Sequence, residues 1–161
     1  MAIDELLGTI GPGLFQHAWV VADLAVAEAA MQTGLGCGEF VELPPTDIDY
    51  DLRGEPIRAA LAIGFARSGD VQIELIQPVR GPGLHAEFLA ARGTGVHHLG
   101  YLVDDLDVAA ALGDRLGFPR LMGGEFGRLR FAYLDTFAAM GVYTEIVEDP
   151  DGMMASLMPW R

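Results

Sequence analysis

Apolar and polar positions follow the same order in two separate segments of the chain. The first begins at Phe15 and reads FQHAWVVADLAVAEAAM, and the second begins at His97 and reads HHLGYLVDDLDVAAALG. They align without gaps when Asp23 is set against Asp105, a shift of 82 positions. In both copies a bulky apolar stretch leads to an Asp, an alanine-rich stretch and then glycines. This order predicts a strand, an Asp-capped helix and a glycine stop, present twice, and therefore an internal duplication.

Further apolar runs after each helix predict three more strands in each half. They read GEFVEL, AALAIGFA and VQIELIQP in the first half, and FPRLM, RLRFAYL and VYTEIVE in the second. The Pro- and Asp-rich segment from Leu43 to Pro56 predicts a surface loop that overhangs a pocket. We expect an α+β fold of two tandem βαβββ modules, whose curved eight-stranded sheet surrounds a central cleft. The modules span about 13–79 and 94–149, joined by a linker helix at about 82–93, within a single domain over 1–161.

Strand alternation decides which side chains of the repeat share a face. On the first strand Gln16 and Ala18 lie on one face, and the repeat sets them against His98 and Gly100. Bulky residues such as Trp19 lie on the opposite face, which suits packing under a helix. The face with the small residues therefore leaves space beside the two polar side chains.

The last strand of each half carries a glutamate inside an apolar run. Glu74 stands in IELI and Glu145 in TEIV, and a buried glutamate is costly unless it is paired. One such residue alone would be typical of a solvent-facing position, but two at matching places favour a shared site. A pseudo-twofold arrangement would gather four ligands around one divalent cation: Gln16, Glu74, His98 and Glu145. One nitrogen and three oxygens suit Zn, Ni, Co, Mn or Fe, and two carboxylates neutralise the charge.

The other histidines and the single cysteine are weaker candidates for ligands. His17 is the alternative to Gln16, because a strand shifted by one residue would point it inward. That shift would also turn its bulky neighbours toward the site and break the gap-free repeat, so Gln16 is preferred. His97 is expected to face the helix or to support a ligand, and His85 is expected at the surface. Cys37 has no nearby cysteine or base, and it is interpreted as a packing residue.

Composition and charge narrow the classes of partner. The chain has 161 residues and a formal charge of −13, from 23 acidic and 10 basic residues. Such a surface repels phosphate backbones, so nucleic acid is not an expected partner. No apolar run approaches the roughly 18 residues of a membrane span, and the N-terminus does not resemble a signal peptide. With one cysteine and no possible internal disulfide, we expect a cytoplasmic protein without membrane contact.

The sequence resembles the vicinal oxygen chelate superfamily, which includes glyoxalase I, methylmalonyl-CoA epimerase, extradiol dioxygenases and bleomycin-resistance proteins. The stretch GVHHLGYLVDDLD, which contains His98, is particularly similar to the epimerases. The segments IEL and TEI around Glu74 and Glu145 also match, and the resemblance covers about residues 14–148. It implies metal ligands at the same four positions, including Gln16, where many relatives have histidine and one subtype of glyoxalase I has glutamine.

The resemblance implies a metal that holds two adjacent oxygens of a small-molecule substrate, with Glu74 and Glu145 as candidate bases. The expected function is a divalent-metal-dependent lyase, isomerase or epimerase that removes a proton next to a carbonyl. Its substrate would be a small oxo acid, hemithioacetal or acyl thioester. The alternatives are an Fe(II) extradiol-type dioxygenase, which would need His17 inward, and a non-catalytic binding protein like the antibiotic-resistance members. By analogy the chain is expected to form a homodimer.

Two groups of residues are candidates for substrate contacts. The polar group could receive a carboxylate, a phosphate or a thioester tail, although ordinary surface positions are preferred for the arginines: Arg67, Arg128, Arg130 and Tyr133. The apolar group could line a pocket, although core packing is preferred for most of its members: Phe65, Met122, Phe131 and Tyr143.

Overall fold

A computed structural model provides the structure of residues 1–157. The helices are α1 (Ala2–Ile10), α2 (Leu24–Leu35), α3 (Leu84–Arg92), α4 (Leu106–Arg115), α5 (Phe137–Met140) and α6 (Met153–Ser156). The strands are β1 (Leu14–Val20), β2 (Val41–Leu52), β3 (Glu55–Ser68), β4 (Val71–Arg80), β5 (Gly95–Leu102), β6 (Arg120–Phe126), β7 (Leu129–Leu134) and β8 (Tyr143–Glu148).

The eight strands form one strongly curved sheet that closes on itself. Their order is β1-β4-β3-β2-β6-β7-β8-β5, and β5 pairs again with β1. Each half therefore contributes four adjacent strands and opens with the same strand-helix unit, which confirms the predicted α+β fold. The first strands of the two halves, β1 and β5, are antiparallel neighbours, so the halves meet around an approximate twofold axis.

The two equivalent helices begin in the same way. Asp23 accepts a hydrogen bond from the Val26 amide at 3.0 Å, and Asp105 accepts one from Val108 at 3.0 Å. These bonds satisfy amides that a helix start leaves unpaired. Trp19 packs with the α2 side of the sheet and Tyr101 with the α4 side. The outward face of each first strand is therefore covered, which leaves the inward face for the site.

The predicted surface loop from Leu43 to Pro56 is wrong, because most of it belongs to β2. This strand pairs with β3 along its length and with β6 near its end, which closes the sheet. The two prolines, Pro44 and Pro45, lie at a register shift between Leu43 and Thr46, where a missing amide breaks no ladder bond. Alternation then turns Tyr50 inward.

The N-terminal helix α1 was not predicted from the sequence. Its apolar residues Leu6 and Ile10 are buried against α4 and the outer side of β5 and β8. None of the helices within residues 1–157 has the length and apolar character needed to span a bilayer. The predicted limits of a single domain over 1–161 stay a prediction, and residues 158–161 lie outside the described part.

Candidate functional site

The four predicted ligands lie on four adjacent strands, β4, β1, β5 and β8, and small residues make the room between them. Ala18 on β1 pairs with Glu74 on β4 and with His98 on β5. Because Ala18 has only a methyl group and is fully buried, the two longer side chains can meet in front of it. The histidine ring reaches the carboxylate there, with His98 Nε2 3.2 Å from Glu74 Oε2.

Gly100 performs the same role in the other half. It pairs with Gln16 on β1 and with Glu145 on β8. A Cβ atom added at Gly100 would lie 2.8 Å from Gln16 Oε1 and 3.0 Å from Gln16 Cβ. The glycine is therefore needed for close approach. Together the two halves place one polar side chain on each side of each small residue.

The four side chains converge on one point. His98 Nε2 lies 3.1 Å from Gln16 Oε1 and 3.3 Å from Glu145 Oε2. The amide atom of Gln16 that faces the cluster lies 3.2 Å from Glu74 Oε2 and 3.1 Å from Glu145 Oε2. All four residues are buried, with exposures of 0 to 7 %. The structure thus brings together all four residues that the sequence predicted.

His17 does not take part in this cluster. It is half-buried on the other face of β1, where it pairs with Ile73 and Leu99. The metal-compatible group of acidic and histidine residues contains Glu74, His98 and Glu145, without His17. The alternative register, in which His17 replaces Gln16, is therefore not adopted.

The orientation of the Gln16 amide decides whether the cluster suits a cation. Gln16 Nε2 donates to Gln72 Oε1 at 2.6 Å, and Gln72 Nε2 donates to the Met154 carbonyl at 3.3 Å. Rotating the Gln16 amide would give it hydrogen bonds to both carboxylates, but it would then set two oxygens together at Gln72. Rotating Gln72 as well would set two oxygens together at Met154. We therefore assign the Gln16 oxygen to the cluster.

With that assignment, the donor set fits a divalent cation. The imidazole nitrogen and the Gln16 oxygen lie 3.1 Å apart, and each lies 3.1–3.3 Å from both carboxylates. The three oxygens cannot donate to one another. A cation would satisfy all of them at once, and two carboxylates balance its charge. Such a site would be held by Gln16, Glu74, His98 and Glu145.

Gln72 was not identified as a site residue from the sequence. A variant of Gln72 tests whether this residue positions the Gln16 amide. Gln72→Leu removes the acceptor that holds the Gln16 amide, so the affinity for a divalent ion should fall by about 10–100-fold. Gln77→Leu is a matched control on the same strand, because Gln77 accepts a hydrogen bond from the Leu24 amide instead. Titration calorimetry with Zn²⁺ would compare the two. Equal affinities in the two variants would contradict a positioning role for Gln72.

A β-bulge in β5 places a second histidine beside the first. The register shifts between the pairs Ala18–His98 and Trp19–Val96, which leaves His97 as an extra residue. His97 Nδ1 then lies 2.9 Å from His98 Nδ1. Burial, with the nearby histidines, lowers the pKa of His97 well below its usual value, so its neutral ring accepts from His98. This bond leaves His98 Nε2 directed into the cluster.

The protonation of His98 couples the cluster to pH. Burial opposes a charge on the ring, but Glu145 and Glu74 outweigh it and raise the pKa of His98 to about 9. The metal-free protein therefore holds a proton that a cation must displace. We expect one proton released on Zn²⁺ binding at pH 7, and an association constant that rises about tenfold per pH unit. Above about pH 9 the dependence should disappear. Calorimetry in buffers of different ionisation enthalpy measures the number of protons released on Zn²⁺ binding. An association constant that does not change between pH 7 and pH 9 would contradict the prediction.

Tyr133 and His85 form a second layer next to Glu145. The Tyr133 hydroxyl hydrogen-bonds to Glu145 and lies 3.0 Å from His85 Nε2. Burial raises the pKa of Tyr133 well above its usual value, and burial lowers the pKa of His85 to about 3. The neutral His85 can therefore donate to the Tyr133 oxygen while Tyr133 donates to Glu145. The expectation that His85 lies at the surface is wrong, because α3 packs against the sheet and leaves the ring 1 % exposed.

An apolar cavity of about 250 Å³ leads to the cluster. Its walls are mainly aliphatic and aromatic, and they include Ile63, Phe65 and Phe131, while Glu74 and Glu145 supply carboxylates. Phe65 and Phe131 therefore line a pocket, which was one of the two roles that the sequence suggested for them, the other being core packing. The other two apolar candidates, Met122 and Tyr143, pack in the core outside the cavity wall.

The arginines considered for substrate contact lie outside the cavity wall. Arg128 is 2.7 Å from Asp151, Arg130 is 2.8 Å from Asp107, and Arg67 is 3.4 Å from Asp70. Of that polar group, only Tyr133 borders the cavity. The preferred interpretation of the arginines as ordinary surface residues agrees with this arrangement.

Comparison with known protein families shows to which family the chain belongs. A sequence model described as the glyoxalase/bleomycin resistance protein/dioxygenase superfamily matches residues 15–133. The chain belongs to this superfamily. The family resemblance that the sequence suggested is thereby confirmed, and the fold of the chain agrees with membership of this superfamily. No curated protein sequence matched the chain.

Solved structures with the same fold include epimerases. Methylmalonyl-CoA epimerase from Mycobacterium tuberculosis is 26% identical, with a TM-score of 0.59, over 89% of this chain and 91% of that one. A hypothetical protein from Bacillus halodurans C-125 is 21% identical, with a TM-score of 0.62, over 86% and 94%. A variant methylmalonyl-CoA epimerase from Streptomyces coelicolor, in complex with 2-nitronate-propionyl-CoA, is 22% identical, with a TM-score of 0.58, over 85% and 96%. Superfamily membership and the epimerase neighbours support an enzyme of this superfamily.

Proposed function

We propose that the chain is a divalent-metal-dependent lyase, isomerase or epimerase that moves a proton at a carbon next to a carbonyl. The observation that carries the proposal is the convergence of Glu74 and Glu145 with His98 and Gln16 at an apolar cavity. The methylmalonyl-CoA epimerases among the structural neighbours support the same reaction class. An oxo acid, a hemithioacetal, an acyl thioester or an α-hydroxy ketone would each offer such a carbon.

The metal ion and the carboxylates would have different catalytic roles. A hydrogen next to a carbonyl is far too weak an acid for a free carboxylate at neutral pH. A bound divalent ion would supply Lewis-acid stabilisation of the negative charge that develops on the substrate. Gln16, Glu74, His98 and Glu145 would hold that ion. General-base catalysis by a carboxylate contributes on the order of 10²–10⁴-fold beyond this.

The two glutamates have different surroundings, which suits proton transfer at two different sides of the reacting carbon. Burial raises the pKa of Glu74, with the Glu145 charge adding to the rise while His98 opposes it. Glu145 instead lies beside the Tyr133 hydroxyl on the neighbouring strand, and this hydroxyl can donate a hydrogen bond to it. The apolar walls exclude water and so strengthen both effects. We propose that each glutamate serves as a base, one toward each side of the reacting carbon.

The donor set gives less support to a ring-cleaving dioxygenase. That chemistry uses an iron site of two histidines and one carboxylate. Here His17 lies on the other face of its strand. His97 contacts Nδ1 of His98, whereas the other three residues of the cluster contact Nε2 of His98. The site offers one histidine and two carboxylates, which suits proton transfer better than oxygen activation.

Solvent exchange tests the proposed reaction class directly. Protein purified without chelator would be analysed for bound metal and incubated in D₂O with the candidate carbon acids. We expect metal-dependent loss of the hydrogen next to the carbonyl, abolished by EDTA and restored by one divalent ion. Protein that binds a metal ion yet exchanges none of these compounds would contradict the proposal.

A further inference from the structure

The charged groups on the cavity wall all have the same sign. They are Glu74 and Glu145 at the cluster and Glu125, which is exposed. Among the described residues, the wall includes no arginine. The chain has no lysine at all, since its ten basic residues are all arginine. Within residues 1–157, the cavity wall therefore has no cationic side chain that could neutralise a carboxylate or phosphate.

Three arginines that flank the lining strands are paired with carboxylates. Arg58 lies 2.9 Å from Asp49, and Arg80 lies 3.0 Å from Asp47, beside the lining residues of β2. Arg128 lies 2.7 Å from Asp151 at the start of β7. These pairs are exposed and contribute little to stability, but an anionic substrate would have to compete with them. Arg120 and Arg130 line a separate neighbouring pocket, and no arginine of residues 1–157 borders this cavity.

The cluster would not attract an anion either. Two carboxylates cancel the charge of a divalent ion, so the loaded cluster has no net positive charge to offer. An anionic group placed among Ile63, Phe65 and Phe131 would lose its hydration without gaining an ion pair, which is strongly unfavourable. A neutral apolar group would instead gain free energy by leaving water for the same walls.

We propose that the substrate is a neutral molecule with two adjacent oxygens at one end and an apolar aliphatic or aryl group at the other. The proposal rests on the proposed function, and it narrows the substrate class. It disfavours free oxo acids, phosphate esters and acyl-CoA thioesters, and so departs from the neighbours whose names include methylmalonyl-CoA. An α-hydroxy ketone with an aryl substituent is the simplest compound of this class.

Two matched probes test the proposal by binding rather than by turnover. Naphthalene-2-hydroxamic acid is neutral near pH 7 and has two adjacent oxygens. The same compound with a carboxylate at position 6 differs only in a charge at the distal end. Binding would be measured by fluorescence, with metal-free protein and again with saturating Zn²⁺. We expect the uncharged probe to bind at least tenfold more tightly in both states, and equal or tighter binding of the carboxylate would overturn the proposal.

A cation introduced at the mouth should change the preference. Thr46 borders the cavity and is exposed, so Thr46→Arg places a positive charge there with little cost to folding. It should improve binding of the carboxylate probe by about tenfold and leave the uncharged probe nearly unchanged. Thr33→Arg is the matched control, since Thr33 is exposed on α2 outside the cavity wall. An equal gain in both variants would show that the effect comes from the overall charge of the protein and would overturn the proposal.

The same measurements separate this proposal from the proposed function. If Zn²⁺ tightens neither probe, the metal site has failed while the preference for the uncharged probe still stands on the metal-free protein. If Zn²⁺ tightens both probes and the two bind with equal affinity, the metal site stands and the substrate class is overturned. Failure of both probes to bind in either state also overturns the substrate class.

Discussion

His98→Gln should abolish tight binding of a divalent ion. The imidazole is the one nitrogen among the four proposed ligands, and its Nε2 lies within 3.3 Å of a facing atom on each of the other three residues. Losing a direct ligand should cost more than losing a supporting contact, so we expect the affinity to fall by at least about 100-fold. Elemental analysis of protein purified without chelator and Zn²⁺ calorimetry would measure it.

His17→Gln is the matched control for that variant. It makes the same substitution on the equivalent strand of the other half, but His17 lies on the opposite face from the cluster. Its metal content should equal that of the unmodified protein. If His17→Gln lost the ion and His98→Gln kept it, the ligand set would be wrong. Circular dichroism would verify that both variants remain folded.

Glu74→Gln and Glu145→Gln should each remove one of two proton-transfer activities. A suitable probe is 2-hydroxyacetophenone, because it is neutral and its CH₂ group has two hydrogens on opposite faces. The unmodified protein with metal should exchange both hydrogens in D₂O. Each variant should slow one exchange by about 10²–10⁴-fold, because an amide cannot act as the base.

The stereochemistry of the product makes this test specific. The two variants should yield monodeuterated alcohols of opposite configuration, determined by NMR after chiral derivatisation. Metal content must be measured in parallel, since each glutamate is also a proposed ligand. If both variants retained the metal and yielded the same enantiomer, only one glutamate would act as a base.

The sequence predicted the cluster because the chain is duplicated. The gap-free shift set Gln16 against His98, and strand alternation placed both beside small residues. The two glutamates followed from their matching positions in apolar runs. Each of these arguments used local order, and the pairing of β1 with β4 and β5 converts that order into proximity.

The supporting residues could not be predicted in the same way. Gln72 is the partner of Gln16 on the neighbouring strand β4, and His85 reaches Tyr133 from α3, so both contacts depend on which elements pack together. The burial of His85 was predicted incorrectly for that reason. The strand over Leu43–Leu52 was missed because two prolines normally interrupt a ladder, and only the structure shows that a bulge accommodates them.

The approximate twofold axis between β1 and β5 has an evolutionary consequence. Each half contributes only two of the four polar groups. An ancestral protein of one module would therefore have needed to form a dimer to complete the cluster. Such an ancestor would have carried identical residues on both sides. Fusion into one polypeptide releases that constraint, and the difference between Gln16 and His98 is a change that only a fused descendant can make independently on each side.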